Sequence, residues 1–259
     1  MDLRELRRNW EALGARDPLW GILSVPEKRG GRWDPDEFFA TGREQVANLL
    51  ARLEELGVRP GRREALDFGC GVGRLSQALA DHFDHVTGVD IACSMVERAR
   101  GYNRHGERCT YVANDRPDLR FVPDDSTDLV LSLLVLQHVE PRFAWRYLDE
   151  FVRVLAPEGA VIVQLVTRAH GGSLHSRLHA ISPAMHRAAR RLRNWGRPAV
   201  DMHVTPPERA RRAFERAGAE IVGVDGGISL DGLWELATHF VRKPPRPAAA
   251  GRASAESSR

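Results

Sequence analysis

The chain has 259 residues, of which 42% are hydrophobic and 28% charged, as in a globular protein with one domain or one domain plus a cap. Its three cysteines form no C-x-x-C pair, so we expect a reducing, cytoplasmic setting without a zinc or disulfide scaffold. We also expect no signal peptide and no membrane span, because no apolar run reaches the required length. The net charge of +3 is too small to indicate nucleic-acid binding unless it is concentrated in one place.

The amino-terminal third predicts helices. Residues 1–33 place three tryptophans between glycines and prolines, which indicates a short helix followed by an irregular arm. A longer helix begins at Asp34-Pro35-Asp36-Glu37, where an N-cap aspartate, a helix-starting proline and a glutamate form a capping box. Apolar residues then recur at helical spacing as far as Gly57, a typical helix stop. We therefore expect a helical arm over 1–33 and the main domain over 34–243.

From residue 65 onward, short apolar runs alternate with helical stretches. Continuous apolar runs without period-two alternation indicate strands buried on both faces of a parallel sheet. Five such runs occur, at 65–68, 85–90, 110–114, 128–135 and 160–166. Their alternation with helices predicts a doubly wound α/β fold with right-handed crossovers. Two closing runs, 219–225 and 233–241, are joined by only seven residues, which suits an antiparallel hairpin.

The stretch after the fifth strand does not fit a simple crossover. Residues 167–204 predict a helical cap inserted into the domain. Residues 167–216 hold eleven arginines, no lysine and three acids, which is typical of a solvated helix face, with an anionic or carboxylate-bearing acceptor as the other interpretation. Residues 244–259 are rich in proline, alanine and serine and are expected to form a disordered tail.

A glycine-rich loop follows the first strand, in the sequence DFGCGVG at 67–73. Glycines let a ligand approach the backbone closely, and the amino end of the following helix favours electronegative groups. A dinucleotide fingerprint would need its third glycine at position 74, where this chain has Arg74. The spacing therefore disfavours a pyrophosphate ligand.

The next two strands end in polar residues. Asp90 closes the second strand, 17 residues past Gly73, where a carboxylate can accept hydrogen bonds from both hydroxyls of a ribose. Asn114 and Asp115 close the third strand, although capping a turn is an alternative role for them. Because open α/β sheets bind ligands at the carboxyl ends of their strands, these features predict a nucleoside site.

The chain resembles the class I S-adenosylmethionine-dependent methyltransferases in four stretches. Taken in order, these are DFGCGVG, GVD followed by a helix at Ser94-Met95, NDRPDL and DLVLSLLVLQHV. The resemblance covers roughly residues 34–166. It implies a seven-stranded, mostly parallel sheet of order 3-2-1-4-5-7-6 whose last strand is antiparallel. It also implies S-adenosylmethionine as cofactor, S-adenosylhomocysteine as product and no metal.

The same resemblance implies roles for individual residues. The methionine part of the cofactor would be surrounded by Asp67, Gly69, Gly71 and Gly73, and the ribose would be held by Asp90. Further cofactor contacts, most of them around the adenine, are expected from Ile91, Met95, Asn114, Asp115 and Leu133. The stretch 38–42, with Phe39, Thr41 and Gly42, would fold over the cofactor, whereas a purely structural role in the core is the alternative for its phenylalanines.

Methyl transfer requires an acceptor aligned with the methyl group, and a base only if the acceptor must lose a proton. The end of the fourth strand delivers Gln137 as a substrate contact and His138 as the candidate base, with a local hydrogen bond as the alternative role of that imidazole. The cap offers Trp195 and His203 as further substrate contacts. Its histidines lack neighbouring ligands that would complete a metal site.

The absence of two motifs narrows the acceptor. The fourth strand lacks the Asn/Asp-Pro-Pro-Tyr loop of nucleic-acid amino-methylating enzymes and the acidic cluster of magnesium-dependent catechol enzymes. We therefore expect a small-molecule acceptor in biosynthetic metabolism, with O-methylation slightly favoured over N- or C-methylation. Three alternatives remain open: a nucleic-acid methyltransferase that uses the arginine-rich cap, a non-catalytic cofactor-binding protein, and different chemistry with the same cofactor. A monomer or a homodimer is expected, without a membrane partner.

Overall fold

The computed structural model describes residues 2–170 and 201–245, which form a seven-stranded sheet with helices on both faces. The strands are β1 (Glu64–Phe68), β2 (His85–Asp90), β3 (Cys109–Ala113), β4 (Thr127–Ser132), β5 (Leu155–Ala169), β6 (Glu220–Ile228) and β7 (Trp234–Arg242). The helices are α1 (Leu3–Arg16), α2 (Pro18–Ile22), α3 (Pro35–Glu55), α4 (Arg74–Leu79), α5 (Cys93–Tyr102), α6 (Pro141–Val154) and α7 (Pro207–Arg216).

The strand order is β3-β2-β1-β4-β5-β7-β6, as predicted. Strands β1 to β5 pair in parallel, and β7 runs antiparallel to both β5 and β6. The central strands are mostly apolar because helices cover both faces, so that two separate hydrophobic clusters form, one on each side of the sheet. All the parallel strands therefore end at one edge of the sheet.

The strand before the predicted cap is longer than expected. Strand β5 continues to Ala169, since Arg168 and Ala169 pair with Glu235 and Trp234 of β7, so the predicted start at residue 167 is too early. Most of the predicted cap, 171–200 with Trp195, lies outside the described residues, as does the predicted tail from residue 246. Within the described ranges, no helix combines the length and the apolar character that a membrane crossing requires.

Helix α3 begins as predicted, but only half of the capping box forms. The carboxylate of Asp34 accepts a hydrogen bond of 2.9 Å from the backbone N–H of Glu37. The side chain of Glu37 instead forms an ion pair of 2.5 Å with Lys28, because an ammonium group is a stronger partner than a neutral amide. The helix ends before Gly57, which has a φ of +75°.

A glycine in the middle of α3 sets its close approach to α4. A Cβ atom at Gly42 would lie 2.4 Å from the backbone oxygen of Arg74. We therefore expect Gly42→Ala to lower the free energy of unfolding by about 1–3 kcal/mol, although alanine favours helices intrinsically. The matched control is Gly101→Ala in α5, where a Cβ atom meets nothing within 4 Å and a gain of about 0.5–1 kcal/mol is expected. Urea unfolding of both variants measures the difference, and equal gains would contradict the close approach.

Candidate active site

A cavity of about 240 Å³ lies at the carboxyl edge of the sheet. Loops after four neighbouring strands contribute to its wall, because these strands end side by side. Of the residues that the sequence predicts for the site, those that line the cavity are Gly69, Gly71, Asp90, Ile91, Asn114, Leu133, Gln137 and His138.

Asp90 is fixed by backbone groups on both sides. One carboxylate oxygen accepts from the N–H of Gly71 and the other from the N–H of Ala92, each at 2.9 Å. Burial raises the pKa of Asp90 to about 6, against the opposing effect of these hydrogen bonds. Each carboxylate oxygen can accept a further hydrogen bond, so the group can bind two donors of a ligand.

The turn after β4 packs directly on the glycine loop. A Cβ atom at Gly69, where φ is +79°, would lie 2.2 Å from a methyl carbon of Val135, so only glycine fits there. On the other side of this contact, Leu134 has a φ of +62°, a left-handed conformation that costs a non-glycine residue energy. This strained turn leads into Gln137 and His138 at the cavity wall.

The imidazole of His138 has a defined orientation. Its Nδ1 lies 2.9 Å from the backbone oxygen of Asp201. Because a carbonyl can only accept, Nδ1 carries the proton, and in the neutral ring Nε2 holds the lone pair. The backbone N–H of His203 donates to the backbone oxygen of Gln137 at 2.7 Å, so segment 201–203 supports the same turn. The edge of the His138 ring contacts Trp10, with the ring centres 5.7 Å apart.

Asp67 lies behind the cavity wall, contrary to the expectation of a cofactor contact. Neighbouring side chains of a strand point to opposite faces, and Phe68 faces the cavity. Asp67 therefore points the other way, is only 1% exposed and accepts a hydrogen bond of 2.6 Å from the hydroxyl of Ser76.

Three other predicted contacts also lie away from the cavity. Gly73 packs against Tyr111, and Met95 is fully buried in a cluster with aromatic residues of α3. Asp115 forms an ion pair of 2.9 Å with Arg7 of α1. These positions follow the expected motif in sequence but are used for packing and for holding α1.

The stretch 38–42 does not fold over the cavity, because it lies within the unbroken helix α3. Phe39 packs on Tyr102, the hydroxyl of Thr41 donates to a backbone oxygen of its own helix at 2.6 Å, and Gly42 contacts Arg74. The helix periodicity that predicts α3 also excludes a covering loop at 38–42.

Helix α1 covers the cavity instead. Its side chains at the cavity wall are those of Leu3, Leu6 and Trp10. The carboxylate of Glu11 holds this helix in place by accepting from two backbone N–H groups at the amino end of α5, at 2.8 and 3.0 Å. The spacing of Leu3, Leu6 and Trp10 is helical, so an apolar stripe could have been found in the sequence, although not its docking place.

The β6–β7 hairpin supplies another part of the wall that the sequence did not predict. Its contributing residues are Ser229, Leu230, Asp231 and Trp234, and Met202 lies beside them. Leu230 is 65% exposed, so the cavity opens next to an apolar hairpin tip. Within the described ranges, no cluster of three histidine, cysteine, aspartate or glutamate side chains could hold a metal ion.

Asp67 provides a test of stability against pH. Burial raises its pKa from an ordinary 3.8 to about 6, although Ser76 and Arg74 oppose the shift. Its contribution to stability is therefore full below about pH 4 and is lost as the pH rises through about 6, by about 3 kcal/mol. We expect the stability of Asp67→Asn relative to the unchanged protein to increase by that amount between pH 4 and 8. Urea unfolding across this range measures the difference, and a constant difference would contradict the shifted carboxyl.

Residues 66–163 match the family model described as a methyltransferase domain. Malonyl-[acyl-carrier protein] O-methyltransferase of Halorhodospira halophila is 39% identical over 129 residues, which cover 49% of this chain and 42% of that protein. Demethylmenaquinone methyltransferase of Clavibacter sepedonicus is 38% identical over 99 residues, which cover 38% of this chain and 39% of that protein. The matched regions thus span less than half the length of these two curated relatives.

The overall fold has close counterparts among solved structures. Magnesium protoporphyrin IX methyltransferase from Synechocystis PCC 6803, solved with bound S-adenosylhomocysteine, superposes with a TM-score of 0.62. The superposition covers 93% of this chain and 100% of that chain at 19% sequence identity. At this level of identity, the similarity establishes the fold.

Proposed function

We propose that this chain, whose residues 66–163 match a methyltransferase domain, is a class I S-adenosylmethionine-dependent enzyme that transfers a methyl group from S-adenosylmethionine to a small-molecule acceptor. The observation that carries the proposal is that the glycine loop, Asp90 and His138 line the same cavity. A nucleoside site and a candidate base therefore face the same space.

The residues present fit the cofactor. Asp90 would accept from the ribose hydroxyls, and the backbone at Gly69 and Gly71 would lie against the methionine part. When bound, S-adenosylmethionine supplies an electrophilic methyl group on a sulfonium leaving group. The side chain of Asn114 stabilises the turn after β3. Its amide nitrogen donates to the backbone oxygen of Asp118 at 2.9 Å, and its amide oxygen accepts from the backbone N–H of Arg116 at 3.2 Å. Its part in an adenine pocket would therefore be to shape the wall.

The character of the remaining wall favours an apolar acceptor. The described side chains there are mainly aliphatic and aromatic, namely Leu3, Leu6, Trp10, Val139, Met202, Leu230 and Trp234. Among the described residues at the wall there is no lysine or arginine, and the formal charges are those of Asp90 and Asp231. The side chain of Asp231 is occupied within its own hairpin by Ser229 and by the N–H of Leu233. An apolar ring system would fit this half of the cavity best.

The arginine-rich segment, residues 167–216, would instead favour an anionic acceptor. Five of its eleven arginines are described, and none of them lines the cavity: Arg168, Arg209, Arg211, Arg212 and Arg216. The other six lie within 171–200, so an anionic acceptor stays a prediction that depends on those residues. The names of the two relatives above include one acceptor of each kind, malonyl and demethylmenaquinone.

O-methylation is the reaction that the orientation of His138 supports best. With Nδ1 held by Asp201, the imidazole would take the proton of an acceptor hydroxyl at Nε2 as the hydroxyl oxygen forms its bond to the methyl carbon. The electron pair of the broken carbon–sulfur bond then leaves with S-adenosylhomocysteine. Gln137 is only 4% exposed, and its side-chain oxygen has no hydrogen-bond partner, so it would accept from a donor group of the acceptor.

The test combines cofactor binding with transfer of a labelled methyl group. We expect calorimetric binding of S-adenosylhomocysteine and transfer of label from S-adenosylmethionine to hydroxylated apolar aromatics, in preference to dicarboxylates or RNA. Labelling of RNA with steep salt dependence would instead support a nucleic-acid enzyme. Cofactor binding without transfer to any of these acceptors would contradict the proposed acceptor class and favour a non-catalytic role. Binding of a nicotinamide dinucleotide in place of S-adenosylhomocysteine would overturn the whole assignment.

A further inference from the structure

A second, smaller pocket lies between α3, α4 and the loop after α5. Its volume is about 40 Å³, and it shares no lining residue with the cavity at the sheet edge. Its charged side chains are mostly basic, namely Arg43, Arg74 and Arg104, whereas the one acid, Asp81, lies 3.9 Å from the imidazole of His105. Such a charge balance in a small enclosed space favours an anion.

Arg74 is a buried cation whose nearest partners are neutral. The residue is only 3% exposed, and its guanidinium donates to the hydroxyl of Thr41 at 3.3 Å and to the amide oxygen of Gln45 at 2.8 Å. Its Nε has no hydrogen-bond partner, and among the described residues Arg74 forms no ion pair. The buried carboxyl of Asp67 interacts with the guanidinium only from beyond ion-pair distance, so Arg74 can still bind an anion directly.

Gln77 adds a second buried donor to the same pocket. It is 7% exposed, and its side-chain oxygen accepts a hydrogen bond of 3.1 Å from the backbone N–H of Arg104. This bond fixes the orientation of the amide, because only the oxygen can accept from an N–H. The amide nitrogen, Nε2, is therefore a donor, and it has no hydrogen-bond partner.

Size restricts the ligand. A buried water occupies about 10–15 Å³ of such a space, so about 40 Å³ admits about three waters or one small tetrahedral ion. At the rim, Arg104 is paired with Asp36 at 2.7 Å, whereas Arg43 is exposed and forms no ion pair with a described residue. We propose that this pocket binds a small inorganic oxyanion, of the phosphate or sulfate class, which accepts hydrogen bonds from Arg74 and Gln77 and is attracted by Arg43.

The test is a titration of thermal unfolding with inorganic phosphate at constant ionic strength. Binding to the folded state is expected to raise Tm in a saturable way, by about 5 °C when phosphate exceeds its Kd about 100-fold. Sodium chloride in place of phosphate keeps the ionic strength constant. The absence of a saturable rise would overturn the proposal.

Three variants locate the site. Gln77→Glu keeps an acceptor for the N–H of Arg104 but places a carboxylate in the pocket, so the phosphate response should disappear. Arg43→Gln, at an exposed position that folding tolerates, should weaken the response at least about fivefold. The control Arg98→Gln removes the same charge from an exposed position on α5 and should leave the response unchanged. A response that persists in both pocket variants would place the phosphate elsewhere, including the glycine loop, and would overturn the proposal without affecting the proposed function.

Discussion

Replacing Asp90 by asparagine is expected to weaken the binding of S-adenosylhomocysteine by at least about 100-fold. The carboxylate would accept two hydrogen bonds from the ribose hydroxyls, and hydrogen bonds to a charged group contribute about 1.5–3 kcal/mol each. In addition, one side of an asparagine amide would direct N–H groups at the backbone N–H of Gly71 or Ala92, which now donate to Asp90. Isothermal titration at pH 7.5 measures the change in Kd.

The raised pKa of Asp90 gives the same ligand a characteristic pH dependence. Donors from the ribose favour the ionised carboxylate, so binding should lower the pKa from about 6 in the empty protein. Affinity should therefore fall with acidification, and it should be about tenfold weaker at pH 5 than at pH 7.5. In Asp90→Asn this dependence should be absent, because no group with a pKa in this range remains at the ribose position.

A second carboxylate of the cavity serves as the control for Asp90. Asp231 lines the same cavity, but its side chain is engaged within the β6–β7 hairpin. Asp231→Asn should change the Kd of S-adenosylhomocysteine by less than about threefold. If Asp90→Asn changed the affinity as little as the control does, the nucleoside would not be held at the end of β2. Urea unfolding of both variants separates a local loss of affinity from a general loss of stability.

The parts of the site that local sequence predicts are those that depend on strand ends. Gly69, Asp90 and His138 each follow a buried apolar run, and parallel strands bring their carboxyl ends to a common edge regardless of the details of packing. In the structure all three line the cavity. The cofactor loop, the ribose position and the candidate base could thus be expected to share one space before any side-chain contact was available.

The covering elements could not be predicted in the same way, because they depend on contacts between distant parts of the chain. Helix α1 is held by Glu11 on the amino end of α5, a contact across about 80 residues of sequence. Arg7 forms an ion pair with Asp115, which the family resemblance alone assigns to the adenine. The position of Asp67 was different, since strand alternation next to Phe68 already places its side chain on the opposite face.

Arg74, which stands where a dinucleotide fingerprint has its third glycine, also links two elements of the fold. Its side chain extends away from the loop and between α3 and α4, where it donates to Thr41 and Gln45. Gly42 permits this approach because a larger residue would collide with the backbone of Arg74. Arg74, which disfavours a pyrophosphate ligand, thus joins α3 to the glycine loop.

Replacing His138 by asparagine is expected to lower kcat for a hydroxyl acceptor by about 10²–10⁴-fold, the usual contribution of a general base. The asparagine amide nitrogen takes the place of Nδ1 and can still donate to the backbone oxygen of Asp201, so the turn after β4 should keep its support. It has no basic nitrogen to take the proton of the acceptor. The Kd of S-adenosylhomocysteine, measured by titration calorimetry, should stay within about threefold, because Asp90 and the glycine loop are unchanged.

A neighbouring variant separates proton transfer from acceptor positioning. Gln137→Met removes the unpartnered side-chain oxygen at the same turn while conserving volume, so it should raise KM for the acceptor and leave kcat nearly unchanged. Added imidazole should restore part of the turnover of His138→Ala, since a free base can enter the space that the side chain vacates. A kcat of His138→Asn equal to that of the unchanged enzyme would exclude the base. In that case the fixed ring beside Trp10 would be needed only to shape the wall, and the acceptor would be one that reacts without losing a proton.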